Sequence, residues 1–152
     1  GWFLVYGFGE QILISGNSMQ PQLSAQDVVL MNRIIYVTGT PDRFDVVVFE
    51  REDGKKNVKR IIGLPGETVQ IRDNRVYING EPLKEDKMGE VSLAGRAADP
   101  VRLGEKEYFL LGDNRGSSED SRFPNIGNVK REQILGKAWF RMLPLLNLGF
   151  VS

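Results

Sequence analysis

The sequence predicts a mainly β domain of folded-over antiparallel sheets. Short apolar segments alternate with polar residues, and no long stretch has the periodicity of a helix. Seventeen glycines and seven prolines divide the chain into short elements. With 152 residues the chain has the length of one domain with its own core, and we expect a single domain over residues 1–152.

The first strand signals lie in the N-terminal half. Residues 27–36 are rich in Val, Leu and Ile. Residues 45–49 consist of Asp45 and a continuous apolar run after it, which is typical of a strand that is buried on both faces. Residues 58–62 continue the pattern.

A hairpin is predicted next. Apolar and polar residues alternate over 69–72 and again over 75–78, with Asp73-Asn74 as a two-residue turn between them. Asn79-Gly80 marks a second turn. Further strands are predicted at 108–111 and 134–141.

Residues 81–107 have a different composition, in which charged residues, Gly and Ala replace the apolar alternation. We interpret this segment as a short, polar, solvated excursion and not as a second domain. The predicted core is therefore formed by residues 10–80 and 108–142.

Composition excludes several classes of protein. Lys plus Arg equals Asp plus Glu at 20 each, so there is no excess positive charge for nucleic acid. The chain contains no Cys and no His, which excludes disulfides and makes a zinc site improbable. We expect no metal and no cofactor, since no segment matches an EF-hand loop.

Both ends of the chain carry apolar segments, at 2–9 and 142–146. The first is shorter than the roughly 20 residues that a spanning helix needs and has no basic region before it. Each segment either packs on the core or faces a membrane. A membrane anchor upstream of residue 1 is expected under the second interpretation.

Without histidine or cysteine, a hydrolase built on this chain needs a serine with a lysine or carboxylate base. Ser18 lies between Gly16 and Pro21, where the backbone can turn sharply and present the hydroxyl. A serine in such a segment is also typical of an ordinary turn.

Lys59 lies in an apolar run, where burial would lower the pKa of its amine and make it a general base. Strand alternation places Lys59 and Arg60 on opposite faces, so that one faces a site and the other solvent. The alternative is an edge-strand lysine that prevents aggregation.

The polar segment 112–122 follows the predicted strand 108–111 directly. Its hydroxyl, carboxylate and guanidinium groups could orient a lysine amine, or the segment is an ordinary Asx-rich loop. Three motifs now stand in order along the chain: Ser18-Met19-x-Pro21, then Lys59-Arg60-x-x-Gly63-x-Pro65-Gly66, then Gly112-Asp113-Asn114-x-x-x-Ser118-x-Asp120-Ser121-Arg122.

These motifs resemble those of type I signal peptidases (leader peptidases), which are Ser/Lys serine proteases. Residues 45–49 and 136–141 resemble two further conserved segments of that family. The short central excursion is similar to the compact Gram-positive members. The resemblance implies a signal-peptidase-like catalytic domain.

The resemblance also implies site residues. Ser18 corresponds to the nucleophile, Lys59 to the general base and Ser118 to the serine that orients the lysine amine. Asp120 and Arg122 correspond to a structural ion pair that supports the loop. Shallow pockets for small substrate residues at P1 and P3 would be lined by Ile12, Ile14, Met19, Leu23, Val48 and Val58.

One position departs from the family pattern. Many members carry a serine two residues before the nucleophile, where this chain has Gly16. The oxyanion would then depend on the backbone N–H of Ser18. Asp113 and Arg115, at the start of the third motif, are implied to be structural.

The function implied is removal of N-terminal signal peptides from exported preproteins after Ala-x-Ala. The partners implied are signal peptides and the membrane surface, and the location is the extracytoplasmic face of the cytoplasmic membrane. Two alternatives stand beside it. One is a catalytically silent domain that binds signal peptides, and the other is a self-cleaving Ser/Lys protease of the repressor type.

Overall fold

The fold is mainly β, as the sequence predicts. The computed structural model describes residues 10–13, 28–32, 40–84, 91, 93–113, 120–143 and 149–150. Along these residues the strands are β1 Glu10–Leu13, β2 Val28–Asn32, β3 Val46–Glu50, β4 Lys56–Gly63, β5 Thr68–Arg72, β6 Arg75–Ile78, β7 Glu81–Pro82, β8 Val101–Arg102, β9 Glu107–Leu111, β10 Val129–Lys130, β11 Ile134–Leu143 and β12 Gly149–Phe150.

The strands form two antiparallel sheets. The larger sheet has the order β1-β2-β11-β3-β4-β9-β10, and β12 pairs with β11. The smaller sheet has the order β7-β6-β5-β8. Strands β3 and β4 are neighbours in the chain and in the sheet, whereas β11 and β9 reach them from distant parts of the sequence. The local β3–β4 pair at the centre of the larger sheet is therefore flanked on both sides by non-local pairs.

Strand β3 is buried on both faces, which confirms the interpretation of residues 45–49. Val46, Val47, Val48 and Phe49 are each at most 2% exposed. Val47 and Phe49 belong to a core cluster with Ile61 of β4. A strand with apolar residues at consecutive positions needs such cover on each side, because every second side chain points the other way.

The predicted hairpin is β5–β6. Arg72 pairs with Arg75 at its tip, and Asp73 and Asn74 both have positive φ, at 51° and 62°. Two such residues define a type I′ turn, whose twist matches that of the flanking strands. Asn79-Gly80 forms a second turn of this kind before β7, with φ of 52° and 85°.

The segment 81–107 differs from the expected solvated excursion. Val91, Ala97, Val101 and Leu103 in this segment are at most 8% exposed and pack in one core cluster with the hairpin. β8 pairs with β5 and completes the smaller sheet. The hairpin alone would leave one apolar face open, and the segment covers it.

No helix among the described residues is long and apolar enough to cross a membrane. The apolar segment 2–9 lies outside the described residues, as do residues 144–146 of the second apolar segment.

Candidate active site

Lys59 lies in the middle of β4, in the interior of the larger sheet. Lys59 is only 4% exposed to solvent. On one side its cross-strand partner is Val47 of β3. On the other side Arg60 pairs with Leu111 of β9, and one further step of this register places Lys59 opposite Gly112. The edge-strand alternative for Lys59 is therefore wrong, because β4 has a strand on each side.

Arg60 is also buried, at 6% exposure. Its Nε donates to Asp113 Oδ1 and its Nη2 donates to Asp113 Oδ2, both at 2.8 Å. The prediction that one of the two neighbouring cations faces solvent is wrong. The bidentate carboxylate compensates the Arg60 charge, which makes burial of this second cation tolerable.

Phe44, just before β3, is held in an unusual backbone conformation beside Arg60. Its φ is +72°, which is rare for a bulky residue. Its N–H donates to the carbonyl of Ile61 at 2.7 Å, and its carbonyl accepts from Arg60 Nη1 at 2.9 Å. Arg60 and Ile61 of β4 thus fix a strained residue in the segment just before β3.

The two ends of the loop 112–122 are fastened to each other. Asp120 is fully buried, and its Oδ2 accepts from the backbone N–H of Gly112 at 3.0 Å. Arg122 donates from Nε to Asp120 Oδ1 at 2.8 Å and from Nη2 to Oδ2 at 3.0 Å. This buried ion pair closes the base of the loop beside the position opposite Lys59.

Ser121 fastens the same base to β9. Its Oγ accepts from the N–H of Leu110 at 2.9 Å, and its own N–H donates to the Leu110 carbonyl at 3.0 Å. The loop therefore leaves β9 at Gly112 and returns to β9 at Ser121. Ser118, three residues before this return, lies outside the described residues.

Several predicted site residues also lie outside the described residues: Ser18, Gly16, Ile14, Met19, Leu23 and Arg115. Ile12 is placed in β1 through its backbone. Val48 and Val58 are cross-strand partners at 0% and 8% exposure, and alternation puts them on the opposite face of the sheet from Lys59. The pockets and the nucleophile stay predictions.

Two arginines that sequence reasoning did not single out support this region. Arg43 forms a bidentate pair with Glu67 at 2.7 Å for both bonds and donates to the carbonyl of Ile62 at 2.9 Å. Arg96 donates from Nε to the carbonyl of Ser121 at 2.8 Å. The position of Glu67, a charged residue just after the Pro65-Gly66 turn, was a sequence signal that could have pointed to it. No sequence signal distinguished Arg96 from the other charged residues of its segment.

Glu67 is held ionised by this arrangement. Burial acts to raise the pKa of its carboxyl, but hydrogen bonds from Arg43 and the N–H of Leu64, together with the Arg43 charge, outweigh burial and lower that pKa.

Within the part of the chain that the structure describes, no group of three potential metal ligands comes together.

Comparison with known proteins identifies the family. Residues 2–143 match the family described as "Signal peptidase, peptidase S26". The chain is 35% identical over 146 residues to a probable signal peptidase I-2 of Synechocystis, covering 91% of this chain and 65% of that protein. It is 37% identical over 146 residues to signal peptidase I T of Bacillus subtilis, covering 89% and 74%.

A solved structure agrees with these relatives. The crystal structure of a signal peptidase I from Enterococcus faecalis V583 matches with a TM-score of 0.55 and 35% identity, over 65% of this chain and 97% of that one. This chain spans 65% of the length of the first relative and 74% of the second. The chain belongs to the signal peptidase family, peptidase S26.

Proposed function

We propose that this chain is the catalytic domain of a membrane-associated serine endopeptidase that removes N-terminal signal peptides from exported preproteins. The relatives named signal peptidase I suggest the reaction and the substrate class. The observation that carries the chemistry is Lys59, which is 4% exposed in an interior strand. The buried base of the loop 112–122 lies beside it and supports the same assignment.

Ser18 is the nucleophile and Lys59 the general base in this proposal. The neutral Lys59 amine accepts the hydroxyl proton of Ser18 as Oγ bonds to the scissile carbonyl carbon. The resulting ammonium protonates the leaving amine as the peptide C–N bond breaks, which leaves an ester on Ser18. Lys59 then takes a proton from water, and the hydroxide bonds to the ester carbonyl carbon. The bond from that carbon to Ser18 Oγ breaks, and Lys59 returns the proton to Oγ.

The burial of Lys59 supports its role as a base. Desolvation disfavours the ammonium form, and Val47 and Ile61, which alternation places on the same face of the sheet as Lys59, are both 0% exposed. Ser118 would orient the amine, and the ion pair of Asp120 and Arg122 would hold the loop that carries Ser118.

Recognition of Ala at P1 and P3 is part of the proposal. Shallow apolar pockets select small residues by excluding larger ones, and one added methylene changes affinity by about 1–3 kcal/mol. Oxyanion stabilisation would come from the N–H of Ser18, because Gly16 offers no hydroxyl.

Peptide cleavage tests the proposal. A peptide with an Ala-x-Ala site is incubated with wild type and with Ser18→Ala, and the products are mapped by mass spectrometry. We expect wild type to cut after the second Ala and to lose activity when that Ala is replaced by Leu. Folded Ser18→Ala should not cut. Equal cleavage by both proteins would contradict the proposal, and binding without cleavage by wild type would favour the catalytically silent alternative.

Association with the membrane is also proposed, from the apolar segments at the two ends of the chain. The extracytoplasmic face is proposed because the proposed substrates are exported preproteins. Co-sedimentation with phospholipid vesicles tests it. We expect the chain to bind vesicles, and its full recovery in the supernatant would favour packing of both segments on the core.

A further inference from the structure

The short helical turn Gly95–Ala98, of the 3₁₀ type, packs against the residues that close the loop 112–122. Arg96 makes three donations there. Its backbone N–H donates to the carbonyl of Arg122 at 2.9 Å, its Nε donates to the carbonyl of Ser121 at 2.8 Å, and its Nη2 donates to Asn128 Oδ1. One residue of the segment 81–107 therefore reaches three residues of the segment 121–128.

The contact is reciprocal and unusually close. Arg122 Nη1 donates back to the carbonyl of Leu93 at 3.0 Å. Gly95 has a φ of +58°, and a Cβ atom on it would lie 2.4 Å from the carbonyl oxygen of Arg122. Only glycine permits this approach without a shift of the backbone. The two segments are thus docked backbone to backbone.

The residues that Arg96 holds are themselves bonded to the strand beside Lys59. Ser121 exchanges two hydrogen bonds with Leu110 of β9, at 2.9 and 3.0 Å. Asp120 accepts from the N–H of Gly112, the residue that the β4–β9 register places opposite Lys59. A continuous set of hydrogen bonds therefore runs from Arg96 through Ser121 to the immediate surroundings of Lys59.

We propose that Arg96 is a positioning residue for the Ser18/Lys59 reaction. It fixes Ser121 and Arg122, where the loop 112–122 returns to β9, relative to the strand pair β4–β9 that holds Lys59. A guanidinium suits this task because its rigid fork presents donors to two separate acceptors, the Ser121 carbonyl and Asn128 Oδ1. The inference rests on the proposed function and adds a residue from outside the three motifs.

Kinetics of arginine variants test this role. In Arg96→Ala we expect kcat on the Ala-x-Ala peptide to fall about tenfold while KM stays within about twofold, because the loss affects alignment and not substrate binding. Arg96→Lys keeps one donor centre and is expected to recover part of the loss, to about threefold below wild type.

Two matched controls separate positioning from folding. Arg102→Ala removes an exposed arginine from the same segment. Val76→Ala removes buried volume from the smaller sheet, where Val76 is 3% exposed in a core cluster that contains no described residue of the loop 112–122. We expect both controls to keep the wild-type kcat per folded molecule, with the folded fraction taken from circular dichroism at the assay temperature.

Amide hydrogen exchange tests the same inference without activity. We expect the N–H groups of Leu110 and Gly112 to exchange about tenfold faster in Arg96→Ala than in Arg102→Ala, because their acceptors on Ser121 and Asp120 are no longer held. If Arg96→Ala does not fold, the kinetics and the hydrogen exchange are measured on Arg96→Lys and Asn128→Ala instead. Each of these variants is expected to lose about threefold in kcat.

A wild-type kcat in Arg96→Ala, or a loss no larger than that of Val76→Ala, would overturn the inference, as would unchanged exchange at Leu110 and Gly112. Failure of the proposed function gives a different result. In that case wild type and Ser18→Ala cleave equally, while the exchange rates still report whether Arg96 holds the loop.

Discussion

At the scale of single residues, the site depends on two neighbouring basic residues in one buried strand. Lys59 and Arg60 are 4% and 6% exposed. Arg60 has a buried carboxylate partner in Asp113, with both guanidinium bonds at 2.8 Å. Removal of one member of such a pair leaves an uncompensated charge, which costs more than the pair itself contributes. Arg60 and Asp113 therefore fix β4 next to the start of the loop 112–122.

Asp113→Asn tests this residue-scale account. The change keeps the shape of the side chain and removes its charge, so we expect stability to fall by about 3–5 kcal/mol. Urea unfolding followed by tryptophan fluorescence measures the loss. Asp53→Asn is the matched control, because Asp53 is 45% exposed and 3.6 Å from Arg51, and a surface pair contributes about 0–1 kcal/mol. Similar losses in the two variants would contradict the account.

At the scale of elements, the Gly95–Ala98 turn packs on residues 121–122. This contact joins the segment before β8 of the smaller sheet to the segment after β9 of the larger sheet. Gly95→Ala tests how close that contact is. A Cβ atom would lie 2.4 Å from the Arg122 carbonyl oxygen, so we expect a loss of about 2–4 kcal/mol from combined overpacking and backbone strain.

Gly54→Ala is the control for this element-scale prediction. Gly54 also has a positive φ, at 85°, but apart from its chain neighbours no atom of the described residues lies within 4 Å of the point that a Cβ would occupy. Its loss should be limited to backbone strain, about 1 kcal/mol. Thermal unfolding of both variants gives the comparison, and equal shifts in Tm would show that close approach contributes nothing at Gly95.

The elements were predictable where local pattern decides them. The β5–β6 hairpin follows from alternation and its Asp73-Asn74 turn, and β3 follows from its apolar run. The cover provided by the segment 81–107 was not predictable, because its few apolar residues are spaced irregularly and pack only after the hairpin exists.

The site shows the same division. Lys59 was found because an amine inside an apolar run is unusual. The partner of Arg60 is 53 residues away along the chain, and the acceptor of Arg96 Nε is 25 residues away. Such long-range polar pairs leave no local pattern, so sequence reasoning placed one of Lys59 and Arg60 in solvent and missed Arg96.

At the scale of the whole molecule, the pair of Arg43 and Glu67 links the start of β3 to the end of β4. The pKa of Glu67 is lowered in the folded protein. Its ionised form therefore stabilises the fold above the unfolded carboxyl pKa of about 4.3, and this contribution is lost as the pH falls through the lower folded pKa.

Glu67→Gln is expected to reduce stability by about 1 kcal/mol at pH 7, since a charge-assisted pair is replaced by a neutral hydrogen bond on partly exposed groups. The difference from wild type should shrink as the pH falls below the unfolded carboxyl pKa of about 4.3, because the unfolded state then binds a proton that the folded state binds only at lower pH. Urea unfolding across this pH range measures it. A difference that is constant with pH would contradict the role of the charge.

The central claim is that the buried Lys59 amine is the base of the reaction, and Lys59→Met tests it most directly. Methionine keeps the unbranched apolar chain and removes the amine, so we expect the variant to fold like wild type. We expect kcat/KM on the Ala-x-Ala peptide to fall about 10³-fold or more. A folded Lys59→Met protein that cleaves the peptide within about tenfold of the wild-type rate would contradict the claim.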